Sequence, residues 1–283
     1  MLVIETIEDF RRWRQEEKGT LALVPTMGAL HEGHLSLVRI AKTIADKVVL
    51  YIFVNPMQFG PKEDFGTYPR TPEKDIEACQ KEGVDAIFMP KMSEIYPEGK
   101  DNSTKVVPPA FLADILEGHF RPGFFTGVAT VLVKFFSIVQ PDAVIFGEKD
   151  YQQLLIVRRF IQDLNLPITV YGAPTVREPD GLAVASRNAY LSKEQRAIAP
   201  RIHQLLQEAA AKLQKAQSKN QDEMEQLLKP IRQKFKEANF ELQYLESRDA
   251  DNLQPVSPQT KKIILLVAAK LDSIRLIDNL FVS

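Results

Sequence analysis

A single cysteine, Cys79, occurs in the 283 residues. That excludes an intrachain disulfide and fits a reducing compartment. In its charged helical stretch the thiol reads as structural rather than nucleophilic. No apolar run approaches the roughly 18 residues that a membrane-spanning helix requires. Glu5, Glu8 and Asp9 stand where a secretory signal would carry positive charge. Charge of one sign is also missing: 36 Lys and Arg face 37 Asp and Glu, for a net of −1. No overall field therefore recruits nucleic acid or an anionic membrane, and any anion must be held by local groups. There is no G-x-x-x-x-G-K-[ST], which argues against a P-loop kinase. There is no HExxH and no Cys/His cluster, which argues against catalytic zinc. Solenoid repeats and low-complexity tracts are absent too. What remains is ordinary globular usage, 45% hydrophobic and 26% charged. We expect a cytoplasmic protein that binds neither nucleic acid nor membrane.

The residues present alternate between two textures. Apolar runs at 21–24, 48–54, 86–89, 143–146 and 168–171 predict strands, and those apolar throughout suit parallel strands covered on both faces. Helical spacing predicts helices over 5–17, 34–46, 71–82, 128–139 and 151–164. This order predicts an α/β fold with a doubly wound parallel sheet. Residues 90–109 and 117–127 read as loops. After residue 176 the texture changes. Helices over 193–216 and 220–237, separated by a polar linker, precede short strands at 241–246, 262–268 and 274–276. The expected domains are 1–177, Rossmann-like, and 178–283, a smaller α+β C-terminal domain.

Polar motifs follow three of the apolar runs. Pro25 to His34 follows the first, with His31 and His34 spaced to share a side of the next helix. The free N–H groups and dipole of that helix start would hold phosphate, and the two imidazoles would add hydrogen bonds. Asn55 to Phe59 follows the second run and Gly147 to Gln153 another. All three then lie at carboxyl ends of strands, where open α/β sheets bind ligands. Lys149 brings a charge there. Asp150 fits a helix cap as well as a metal or ribose contact. Gln58 and Gln153, which donate and accept, suit a ligand with hydroxyl and carboxylate groups. Arg121 is placed to pair with a carboxylate. The loop from Arg177 to Asn188 joins the domains, and its Arg187 would neutralise charge on departing pyrophosphate. His203 reads as structural, whereas His119 remains open. Two histidines, a lysine and a Ser-Arg loop, without a nucleophile, fit adenylyl transfer: the protein positions reactants and stabilises spread negative charge. Another adenylyl or cytidylyl transferase, or a non-enzymatic nucleotide-binding module, are the alternatives.

His31-Glu32-Gly33-His34 resembles the HIGH signature of class I synthetase-like nucleotidyltransferases. Together with Phe53 to Phe59, Tyr68-Pro69-Arg70-Thr71, Gly147 to Gln153, Ser186-Arg187-Asn188 and Leu276 to Asn279, it resembles the pantothenate synthetase family over nearly the whole chain. The resemblance implies an ATP- and Mg2+-dependent condensation of (R)-pantoate with β-alanine. Pantothenate, AMP and pyrophosphate would form by way of a pantoyl adenylate, in a cytoplasmic homodimer. By position it implies that Met27, Gly28, Ala29, Leu30, His31, Glu32, Gly33, His34, Gly147, Glu148, Lys149, Asp150, Val176, Val184, Ala185, Ser186 and Arg187 bind ATP. His34 would be the acid, with His31, Lys149 and Arg187 beside it in catalysis. Gln58 and Gln153 match the pantoate contacts, and Asn55 and Arg121 join the substrate set. No Mg2+ ligand is assigned. Two positions depart from the family pattern. Phe124 replaces a histidine, removing a polar group near the expected pantoate pocket, and Ala185 replaces a serine. Loss of that one hydroxyl costs about 0.5–1.5 kcal/mol, so a working enzyme is expected.

Overall fold

A computed structural model describes residues 1–61, 63–217 and 220–282. Residues 218–219, in the polar linker expected between two C-terminal helices, lie outside it. The chain divides into two compact units, 1–148 with 156–174, and 149–155 with 175–283. The sequence reading puts the division three residues later and leaves 149–155 in the first domain.

Six parallel strands form the sheet of the first unit: β1 (Leu2–Ile4), β2 (Leu21–Thr26), β3 (Lys47–Ile52), β4 (Ala86–Phe88), β5 (Ala143–Gly147) and β6 (Thr169–Ala173). Its helices are α1 (Ile7–Glu16), α2 (Glu32–Ile44), α3 (Pro72–Glu82), the short α4 (Met92–Ile95), α5 (Ala110–Ala113) and α6 (Glu117–Phe120), then α7 (Phe124–Val139) and α8 (Tyr151–Asp163), whose first residues belong to the second unit. β2 explains why the central strands are apolar throughout. Leu21, Ala22, Leu23 and Val24 are all fully buried, so both faces of the pleat are covered. Ala22 and Val24 join Leu37, Val38 and Ala41 of α2 and Cys79 of α3 on one face. On the other, Phe10 of α1 and Phe135 of α7 pack on Phe88, with Phe135 stacked on Tyr51.

Strand order is β1-β4-β3-β2-β5-β6. From β2 the chain steps outward through β3 to β4, then crosses back to lay β5 on the other side of β2. The switch point therefore falls between β2 and β5, and ligands of such sheets bind at the carboxyl ends of the strands there. The histidine turn follows β2, and Gly147 ends β5.

The second unit holds α9 (Lys193–Ile198), α10 (Arg201–Leu213), α11 (Gln221–Glu237) and an antiparallel sheet, β7 (Glu241–Asp249), β8 (Ile263–Leu271) and β9 (Ile274–Val282), in the order β7-β8-β9. Leu205, Leu206, Leu228 and Phe235 pack with Leu245, Leu265 and Val267 in one core.

Some expectations need correction. The helix expected over 193–216 is two, α9 and α10, interrupted at Ala199–Pro200, where proline has no N–H to continue the ladder. The expected loop 117–127 is largely helical: α6 occupies its start, and α7 begins at Phe124 rather than Val128. β1, α4 and α5 are not among the elements that the sequence predicts, and β7, β8 and β9 each run longer than their apolar cores.

Candidate active site

After β2 the backbone turns through left-handed conformations, Gly28 at φ +82° and Ala29 at φ +49°. Gly28 has a second reason to lack a side chain: an added Cβ would lie 3.0 Å from both Asp75 Oδ2 and Ile52 Cγ2. Ala29 has no such freedom, and its conformation is held from outside. Asp75, in the first turn of α3 and 2% exposed, accepts the N–H of Ala29 at 2.9 Å and of Leu30 at 2.8 Å. The Thr71 hydroxyl adds a third bond at 3.1 Å.

His31 is the N-cap of α2, not part of the helix, and its Nδ1 accepts the N–H of Gly33 at 3.1 Å. Its carbonyl accepts those of His34, at 2.8 Å, and Leu35, at 3.1 Å. The His31 ring stacks on that of His34, 4.0 Å between centroids and 26° between planes. The two histidines thus meet as a cap folded over the third residue of the helix. Because Nδ1 accepts, the proton of a neutral ring sits on Nε2.

This corrects the expectation of free backbone donors. The Gly28 N–H goes to Thr26 Oγ1 at 3.2 Å, those of Ala29 and Leu30 to Asp75, that of Gly33 to His31, and those of His34 and Leu35 to the His31 carbonyl. The turn thus uses within the chain six of the backbone donors that the motif alone suggests are open to phosphate. Glu32 is exposed and pairs with Arg39.

The turn after β3 is built from its amide side chains. Asn55, 1% exposed, accepts from Met57 N–H at 3.2 Å and Tyr96 hydroxyl at 2.8 Å. It donates to Gln58 Oε1 and the Gly127 carbonyl, both at 3.1 Å. All four positions of the amide are used within the chain, so Asn55 builds the turn. A side chain at Gly127 would run into this turn, its Cβ 2.3 Å from the Met57 carbonyl oxygen. Gln58, half-buried, donates from Nε2 to Met27 Sδ at 3.0 Å, which joins the first and second motifs.

Arg121 already has a carboxylate in the chain itself. It donates to both oxygens of Glu63, at 2.7 and 2.8 Å, and to the Gln58 carbonyl at 3.1 Å. Its guanidinium carbon lies 3.7 Å from the Phe124 ring centroid. The phenylalanine at this position is a platform for Arg121. Gly147 and Glu148, half-buried, end this unit's share of the expected residues.

The rest lie in the second unit. Lys149 and Gln153 are half-buried, and Asp150 is exposed just before α8. The Lys149 carbonyl accepts from Asn279 Nδ2 at 2.9 Å. The 177–188 loop is folded on itself. Arg177 bridges to Ala183, Val184 N–H donates to the Val176 carbonyl at 3.0 Å, and Asn188 Nδ2 donates to the Ala183 carbonyl at 3.0 Å. Ser186–Tyr190 is a short 3-10 turn, and Ala185 occupies its N-cap position without a side-chain cap bond. Behind this loop, Arg177 forms two bonds to Asp278, with His203 Nδ1 3.4 Å from the same carboxylate. Burial pushes the Asp278 carboxyl up, but His203 and Arg177 outweigh it and hold the group below the usual carboxylate range.

Sequence reasoning assigns no role to Asp75, Glu63 or Asp278. Asp75 lies in the first turn of α3, where an acid is common on account of the helix dipole alone, so nothing local marks it. The partners of the other two lie 58 and 101 residues away, beyond any local pattern.

A doubly wound parallel sheet with polar motifs after the strands at its switch point places the chain among the α/β proteins, whose open sheets bind ligands at the carboxyl ends of the strands. The chain belongs to the pantoate-beta-alanine ligase family, which matches residues 2–281, and is a ligase. It is 46% identical to a pantothenate synthetase of Idiomarina loihiensis over 283 residues, all of this chain and 98% of that one. It is similar to the crystal structure of pantothenate synthetase from Thermus thermophilus, with TM-score 0.91, 42% identity and 99% of each chain covered. It is also similar to a pantoate-beta-alanine ligase from Francisella tularensis complexed with beta-gamma ATP and beta-alanine. There the TM-score is 0.82 and identity 33%, with 99% of this chain and 97% of that one covered.

Proposed function

We propose that this ligase condenses pantoate with β-alanine in two steps driven by ATP. A pantoate carboxylate oxygen attacks the α-phosphorus. The bond to the bridging oxygen breaks, and pyrophosphate leaves with the electron pair. The β-alanine amine then attacks the acyl carbon of the pantoyl adenylate, AMP departs, and the amine gives up a proton.

The observation that carries this reading is the histidine pair. His31, fixed by Gly33 in the tautomer with Nε2–H, and His34, stacked upon it, place two imidazoles after β2 at the switch point. Both donate to phosphate oxygens, and His34 is the acid. Lys149 and Arg187 neutralise charge on the β- and γ-phosphates, and Ser186 and the backbone of Ala185 bind the same group. Gln58 and Gln153 bind pantoate. Asn55 and Arg121 support Gln58 by building its turn. Residues 178–283 serve as a lid domain.

Mg2+ would be supplied together with ATP. Among the described residues no group of three or more His, Cys, Asp or Glu could hold a metal, which suits an ion carried by phosphate oxygens and water. When bound, it screens the charge that gathers on the leaving pyrophosphate. We place the enzyme in the cytoplasm as a homodimer formed through its first unit. No described helix is long and apolar enough to cross a membrane, and a lone buried thiol suits a reducing compartment.

The test omits ATP, Mg2+, pantoate and β-alanine in turn and identifies the nucleotide product. AMP supports adenylyl transfer, and ADP would overturn it. His34→Ala is expected to lower kcat/KM by about 10²–10⁴. A change under about threefold would remove the acid role.

A further inference from the structure

Asp278 and Asn279 are neighbours on β9, 2% and 6% exposed, and the chemistry above uses neither. Their side chains hold two different segments. Asn279 Nδ2 donates to the Lys149 carbonyl at 2.9 Å. Asp278 receives Arg177 through two parallel bonds of 2.8 and 2.9 Å, a geometry with angular as well as distance specificity. Arg177 donates further to the carbonyls of Gly181, at 3.1 Å, and Asn279, at 3.3 Å. The Asn279 N–H closes onto Asp278 Oδ1 at 2.8 Å. From Arg177 the restraint passes through its bridge with Ala183 to the Asn188 amide. Ser186 and Arg187 lie between those two residues. β9 is an edge strand, and Asp278 and Asn279 are held there by pairing with Val267 and Leu266 of the central strand β8.

We infer that Asp278–Asn279 is a positioning pair for the reaction. It sets the backbone of Lys149 and the loop carrying Ser186 and Arg187, and touches no reactant. A lysine is a point charge on a flexible stem, so its placement depends on the backbone from which it springs. A misplacement of about 1 Å can cost a hundredfold in rate. The inference rests on the proposed roles of Lys149 and Arg187.

A double-mutant cycle tests it. Asn279→Leu removes the amide at similar volume and is made alone and together with Lys149→Ala. ATP and β-alanine are each varied, and thermal unfolding is followed in parallel. Asn279→Leu is expected to lower kcat/KM for ATP about tenfold or more, with KM for β-alanine changed less than about twofold. The double variant should fall within about threefold of Lys149→Ala, because the amide acts through the lysine. If Asn279→Leu does not fold, Asn279→Ser, which keeps a shorter donor, is read in the same cycle. Full additivity, with Lys149→Ala still damaging, would overturn the positioning role and leave the function of Lys149 standing. An undiminished Lys149→Ala enzyme would instead overturn the role of Lys149, and the inference with it.

Discussion

The Asp75 carboxylate receives the backbone N–H of Leu30 on one oxygen at 2.8 Å and that of Ala29 on the other at 2.9 Å. A helix that contributes no residue to the proposed chemistry thus sets the backbone leading into the histidine pair. Asp75→Asn keeps the shape but turns an NH2 toward one of these donors. It should lower the unfolding free energy by about 1–3 kcal/mol and raise KM for ATP more than KM for β-alanine. Urea denaturation and steady-state kinetics check both. Unchanged values would show that the turn holds itself.

His31 has two separable tasks, capping α2 and presenting a donor. Asparagine is among the best N-caps, whereas alanine costs about 1 kcal/mol there. His31→Asn should therefore keep wild-type stability and His31→Ala lose about that amount, while both lose activity. Retained turnover in His31→Asn would show that the cap alone matters.

Cys79 is fully buried, and burial, with Asp75 and Glu82 nearby, pushes its thiol up to about 12. The folded form holds the proton more tightly, so this contribution to stability is complete below the unfolded value near 8.5 and lost as pH rises toward 12. A thiol reagent at pH 8 should leave the native enzyme unlabelled and label it once unfolded. Rapid native labelling would contradict the burial.

Asp278 behaves in the opposite sense. Its folded value lies below the ordinary one, so its stabilisation is complete above about pH 4 and lost as pH falls through the folded value. Asp278→Asn should be less stable than wild type at neutral pH, and the gap should narrow as the solution is acidified below about pH 4. Urea midpoints measured across that range decide it. A gap that stays constant would show that the carboxylate charge is not what Arg177 needs.

Ser247 on β7 is fully buried, and its hydroxyl has no hydrogen-bond partner among the described residues. Leaving such a group unsatisfied costs about 1–3 kcal/mol. Ser247→Ala should equal or exceed wild type in melting temperature. A clear loss would reveal a bond that the hydroxyl makes.

The parts of this fold that could be read from sequence are those whose signal is local. β2, β3 and β5 were visible because burial on both faces leaves a continuous apolar run. Parallel order then put the motifs after them at one edge of the sheet. β1 was invisible, being three residues with only Ile4 buried, and the four residues of α6 are too few to show a period. The site was legible as residues but not as bonds. The turn before α2 reads as an anion site with open donors, and only the fold reveals that Asp75, 45 residues on, takes the N–H groups of Ala29 and Leu30. Arg121 reads as placed to pair with a carboxylate, and only the fold reveals Glu63, 58 residues away, as one such partner.

The split of residues 149–155 from 156–174 has a consequence for dissecting the chain. Tyr151 donates its hydroxyl to the Ala250 carbonyl at 3.0 Å and sets its ring edge-on to Phe281 at 5.4 Å. A fragment cut at residue 175 would therefore expose an aromatic face and strand a carbonyl. No single scission separates the two units, so a C-terminal piece that keeps all of its own unit needs that heptapeptide grafted back, by circular permutation or in trans.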